Sequence, residues 1–158
     1  MSLSLQIQTL LAGRATGTTP FTVEVEEDGQ RLTCEFAALD SLSCALSQFT
    51  LTTAKLADAT PPRLKRLAEQ LSSRLTYLLE PIRPIEADDQ QCVVQMRSNP
   101  PQRGDDGASY YELVIRRGGE LSLCRWQKAK GNERRRVPAN LTREVLWRLI
   151  DDFSAAVR

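Results

Sequence analysis

The chain has 158 residues, 41% of them hydrophobic and 26% charged, a composition that fits one ordinary globular domain and excludes a disordered or fibrous chain. It contains no histidine, which removes the commonest general base and the commonest metal ligand together. A formal net charge of +1 hides an uneven distribution: residues 1–59 carry 3 basic and 7 acidic side chains, and residues 97–136 carry 10 basic and 5 acidic.

The start, MSLSLQIQTLLAG, alternates apolar and polar residues without a basic n-region, so it does not read as a signal peptide. Leu3, Leu5 and Ile7 predict a first strand. No stretch reaches the roughly 18–20 unbroken apolar residues that cross a bilayer, and an intracellular, cytoplasmic protein without membrane contact is expected. Next, FTVEVEEDGQRLTCEF alternates on both sides of Asp28-Gly29, the strongest short hairpin signal. A two-residue turn there sets Val25 opposite Leu32, Val23 opposite Cys34 and Phe21 opposite Phe36 on one face, with Glu26 and Arg31 on the other. A further strand is expected within Leu42 to Thr52. Thr60 then caps a helix with Pro61 at its first position, and Leu64, Leu67, Ala68, Leu71, Leu75 and Leu78 form its apolar stripe.

Residues 81–90 read as a connection. Cys92, Val94 and Met96 predict another strand, and SNPPQRGDDGAS from Ser98 a long loop. The stretch YELVIRRGGELSLCRW predicts a second hairpin. With Gly118-Gly119 as its turn, Tyr111 faces Trp126, Leu113 faces Cys124 and Ile115 faces Ser122. A weak strand over 132–137 follows, and then a helix capped by Asn140 with Leu141, Val145, Leu146, Leu149, Ile150 and Phe153 as its stripe. Phe21 and Tyr111, Cys34 and Cys124, and Phe36 and Trp126 each stand 90 residues apart, which reads as an internal repeat. The expected fold is therefore α+β: two tandem ββββα repeats, 1–80 and 81–158, sharing one structural domain as a pseudo-dimer of antiparallel sheets with packed helices. On this reading Cys34 and Cys124 are buried equivalents, Trp126 points into the core, and all four cysteines are reduced thiols.

The ββββα pattern resembles the Whirly proteins, the Pur-alpha repeats and the transcriptional positive-coactivator family. Residue types are similar over the last forty or so positions: a hairpin, a basic last strand, an Asn-Leu-Thr-Arg-Glu helix start before Trp147, and Asp151-Asp152. That resemblance implies single-stranded nucleic acid bound on the sheets, with no enzymatic activity and no cofactor. The acidic first hairpin (Glu24, Glu26, Glu27, Asp28) departs from it. A secretion-chaperone-like α/β fold is a second resemblance and implies an extended peptide or protein as partner; it opens with a helix, whereas this N-terminus alternates with period two.

The basic ribbon from Arg116 to Pro138 carries the candidate binding residues: Arg116, Arg125, Lys128, Lys130, Arg134, Arg135 and Arg136 for phosphates, and Tyr110 for base stacking. The same charges serve equally as a solvated edge that discourages aggregation, and the Val114, Leu121 and Leu123 face fits a protein interface or a homo-oligomer contact. Asp88-Asp89, Asp105-Asp106 and Asp151-Asp152 are adjacent carboxylates that point apart. No phosphate loop, nucleophile elbow or metal-ligand spacing occurs, so neither an enzyme nor a metal site is expected.

Overall fold

The computed structural model describes all of residues 1–158. The chain opens with a helix, α1 (Leu3–Ala12), where a strand was expected. Ser2 caps it by accepting from the Leu5 amide at 3.2 Å. Leu3, Ile7 and Leu11 are buried while Leu5 is 45% exposed. The i, i+4, i+8 spacing of the buried three is a helical stripe, and it prevails over the alternation of Leu3, Leu5 and Ile7.

Strands β1 (Phe21–Glu27) and β2 (Gln30–Leu39) pair in the predicted register, Val23 opposite Cys34 and Glu26 opposite Arg31. Asp28 and Gly29 both have positive φ, 50° and 74°, as a two-residue turn of this hand demands. β3 (Ser43–Thr53) completes a meander and leads through a single 3-10 turn to α2 (Pro61–Arg74), capped by Thr60 as its sequence predicts.

The expected connection over 81–90 contains a strand, β4 (Ile82–Asp88), which lies at the sheet edge against β5 (Val93–Ser98). An edge strand tolerates Pro84, and the register shifts between Pro84 and Glu86, so proline and irregularity together blunt the edge. The long loop holds a short strand, β6 (Gln102–Gly104), which turns back onto β7 (Gly107–Arg116). β8 (Glu120–Lys128), β9 (Arg135–Val137), β10 (Ala139–Thr142) and α3 (Arg143–Ala156) follow. Thr142, not Asn140, caps α3, accepting from the Val145 amide at 3.1 Å; Asn140 is held in β10 opposite Ala45.

The architecture is α+β, one antiparallel sheet in the order β1-β2-β3-β8-β7-β5-β4. All three helices pack on one face and share a single core with it. The first half reads αβββα, and the second places seven strands before α3. The halves join where β3 pairs with β8, from Phe49 opposite Leu123 to Thr52 opposite Glu120. Beyond Phe49 the two strands part, and residues 135–142 fill the gap: β9 pairs with β8 and β10 with β3. The change of partner falls at Pro138, which has no N–H to give to either neighbour. No helix is long and apolar enough to cross a membrane.

The second hairpin departs from its expected register by one residue. Arg117, Gly118 and Gly119 make the connection, and Tyr110 faces Trp126, Leu113 faces Leu123 and Ile115 faces Leu121. Gly119 fixes this end. Its φ is 93°, a Cβ there would collide with the Thr53 carbonyl, and the Thr53 amide donates to the Gly119 oxygen at 2.8 Å. A slip of one residue turns every side chain of a strand to the other face. Leu121 and Leu123 therefore enter the core, while Ser122, Cys124 and Trp126 turn to the face that no helix covers.

Two expectations are corrected by that slip: Trp126 is not a core residue, and Cys124 is not the equivalent of Cys34. Cys34, Cys44 and Cys92 are buried and Cys124 only partly so. Burial raises the Cys34, Cys44 and Cys124 thiols, Cys44 to about 11 and Cys34 further; for Cys124 the nearby Arg136 and Arg134 work against that rise. A thiol-reactive dye at neutral pH should therefore label Cys124 first, at a rate on the order of tenfold above the other three. Labelling of Cys34 at the Cys124 rate would contradict the register.

Candidate nucleic-acid interface

Alternation along each strand decides what the helix-free face carries. The β1 and β2 side is acidic, with Glu24, Glu26 and Glu35 exposed and a single cation, Arg31, bridging Glu24 and Glu26. Small polar residues occupy the middle: Thr33, Thr50 and Ser122, opposite one another or adjacent across β2, β3 and β8. On the far side, β5, β7, β8 and β9 bring together Arg97, Tyr110, Glu112, Trp126 and Arg136, joined by Arg134 from the loop before β9.

The centre of this cluster is the Glu112 carboxylate, whose side chain is only 9% exposed. Its Oε2 accepts from Arg134 Nη1 at 2.7 Å, Gln95 Nε2 at 3.0 Å and Arg97 Nη2 at 3.4 Å. Burial works to raise this carboxyl, but the hydrogen bonds of Arg134 and Gln95 and the charges of Arg134 and Arg97 hold it below the usual carboxylate range. Arg134 also donates to the Tyr110 hydroxyl at 3.4 Å and lies 3.9 Å over the Trp126 ring. The Arg136 guanidinium stands 5.4 Å from the same ring and donates to Gln48 of β3. Arg97 lies 4.6 Å over Tyr110. Guanidinium groups thus cover both aromatic rings, each contact a cation–π pair. Two donors in the cluster, Trp126 Nε1 and Arg97 Nε, are buried without an acceptor.

Of the eight residues singled out from the sequence, Tyr110, Arg134 and Arg136 meet here, and Lys128 lies two residues beyond Trp126 on the same strand face. Lys130 is exposed in the loop between β8 and β9. Tyr110 is 8% exposed, so its ring is a wall of the cluster and not an open stacking platform. Arg116 is at the opposite end of β7, paired with Glu120 at 3.9 Å. Arg125 belongs to the helix side: it forms an ion pair with Glu80 at 2.9 Å, donates to Gln102 and covers Tyr111. Arg135 alternates with Arg136 and donates to Gln127 at 2.8 Å.

Sequence reasoning passed over Arg97, Gln95 and Glu112 as site residues, and it weighed Trp126 for base stacking but set it in the core. The signal was present for the first two, since inward Val94 and Met96 put Gln95 and Arg97 on the other face. What this arrangement can do chemically is hold an anion and stack a planar group; no set of His, Cys, Asp or Glu side chains is grouped to hold a metal ion. No protein-family model matches the sequence, and neither a curated protein nor a solved structure matches the chain.

Proposed function

We propose that the helix-free sheet face binds single-stranded nucleic acid without catalysis, through Arg97, Arg134 and Arg136 for phosphates and the Trp126 ring for a base. The observation that carries this reading is the meeting of three arginines and two aromatic rings around a single carboxylate on an uncovered sheet face. Single-strand binding uses this combination, because cations track the backbone while aromatic and guanidinium planes accept any base. Lys128 and Lys130 extend the positive surface along the loop. The kinship with the Whirly, Pur-alpha and positive-coactivator group, with 1–80 and 81–158 as tandem halves, is part of the same proposal. It is supported by the central position of β3 and β8, the last long strand of each half.

The test is the affinity for a fluorescently labelled thymidine oligomer between roughly 50 and 200 mM salt. Replacing Arg134, Arg135 and Arg136 by alanine should weaken binding. It should also flatten the plot of log affinity against log salt by about 1.4, at about 0.7 for each of two lost phosphate contacts. Arg135 faces Gln127 on the other side and is expected to add nothing. A triple variant that binds as tightly as the parent would sink the proposal.

One observation favours a second reading, an extended peptide bound by a secretion-chaperone-like module: the chain opens with α1, as that fold does. Binding of a partner that withstands high salt, with no affinity for single strands, would support it over the first.

A further inference from the structure

We infer that Glu112 is a positioning residue of this surface: it holds Arg134 closed over Trp126, and a strand's phosphate replaces it as the partner of Arg134. The inference rests on the proposed binding of single strands for its ligand, but the closed contact is a property of the protein by itself.

The geometry is specific. Arg134 comes from the exposed segment between β8 and β9, where neighbouring Asn132, Glu133, Arg135 and Arg136 are all exposed. Nothing in that segment explains a guanidinium stacked 3.9 Å from an indole ring. Its anchors are the Glu112 carboxylate at 2.7 Å and the Tyr110 hydroxyl at 3.4 Å, both from β7. Glu112 itself cannot withdraw, because Gln95 and Arg97 of β5 hold the same oxygen and its side chain is 9% exposed. An anion fixed in the sheet therefore sets the position of a cation from a loop, and the cation closes the aromatic ring.

A phosphodiester offers Arg134 the same kind of partner as Glu112, an anionic oxygen that accepts a charge-assisted hydrogen bond. If Arg134 swings to a phosphate, the Trp126 face is released for a base. Trp126 Nε1 and Arg97 Nε, which have no acceptor inside the protein, then have phosphate or base oxygens within reach. Glu112 thus competes with the ligand. It weakens binding and selects for ligands that bring both a phosphate and a planar group, since either alone leaves part of the closed contact uncompensated.

The experiment uses the Trp147→Phe protein, so that Trp126 is the sole tryptophan, and acrylamide, an uncharged quencher that does not respond to the charge change. Glu112→Gln is expected to raise the quenching constant of Trp126 about twofold or more. Arg134→Ala, which leaves Glu112 in place, should do the same, and the double variant should go no further than Arg134→Ala. Quenching in Glu112→Gln and Arg134→Ala that stays at the parent value would overturn the inference, whether or not nucleic acid binds. With the thymidine oligomer, Glu112→Gln should bind at least about threefold tighter than the parent, and an unchanged affinity would also count against it. If neither form binds the oligomer while the quenching changes as expected, the closed contact stands and the proposed function falls.

Discussion

Phe49→Ala is expected to lower the free energy of unfolding by about 3–5 kcal/mol, measured as the shift of a urea denaturation midpoint at constant slope. Phe49 is fully buried at the position where β3 is paired on both sides, with Cys34 of β2 and Leu123 of β8. Its ring meets Phe153 of α3 edge-on, with centroids 4.8 Å apart. The cavity left by alanine would open where both halves of the chain and the C-terminal helix converge, so the surroundings have little freedom to collapse into it. Phe49→Leu keeps most of the volume and should cost about 1.5 kcal/mol or less. A loss below about 1 kcal/mol for alanine would mean that this junction is not the centre of the core.

The second large effect is expected at Arg125→Ala, about 3–5 kcal/mol, because it strands a nearly buried carboxylate. Arg125 and Glu80 are 12% and 9% exposed, and Arg125 Nη2 stands 2.9 Å from Glu80 Oε2, while Glu80 Oε1 has no hydrogen-bond partner. Glu80→Ala should be comparably harmful by leaving the cation unpaired. The double change Arg125→Met with Glu80→Met should be far milder, since well-packed apolar groups replace a buried pair at little net cost. With the single changes Arg125→Met and Glu80→Met and the parent, this double variant forms a double-mutant cycle, read by chemical denaturation. Strict additivity of the two single losses would show that the charges do not depend on each other. Single-strand affinity, by contrast, should not respond to Arg125, which points to the helix side.

How much of this was legible in the sequence varied with the local rule that governs each element. The first hairpin was read to the residue because Asp28-Gly29 permits one turn and one register. The second was not, because Arg117-Gly118-Gly119 supports either a two- or a three-residue connection. The choice is made by contact with Thr53 of β3, which local sequence does not contain. That single residue carried a large consequence, since it moved Trp126 and Cys124 out of the core and Leu121 and Leu123 into it, and with them went the residue-by-residue match between the hairpins. In α1 the alternation of Leu3, Leu5 and Ile7 masked the helical spacing of Leu3, Ile7 and Leu11, which leaves Leu5 on the outer side. β4 was hidden by Pro81 and Pro84, residues that mark a loop locally and are tolerated in a strand at a sheet edge. The arginines of the ribbon were legible as a group. Their division between the two faces depended on β9, three residues long, and on Pro138. The Glu112 cluster joins β5, β7, β8 and a loop, and no local pattern announces it.

The binding surface is tested most directly by following Trp126 emission in the Trp147→Phe protein while a thymidine oligomer is added at roughly 50 mM salt. A base stacked against Trp126 should quench it to saturation, and the midpoint should move to higher strand concentration as salt rises, because phosphate contacts weaken with released counterions. Emission that stays constant throughout the titration, in a protein that remains folded by its denaturation midpoint, would contradict the assignment of this face to nucleic acid.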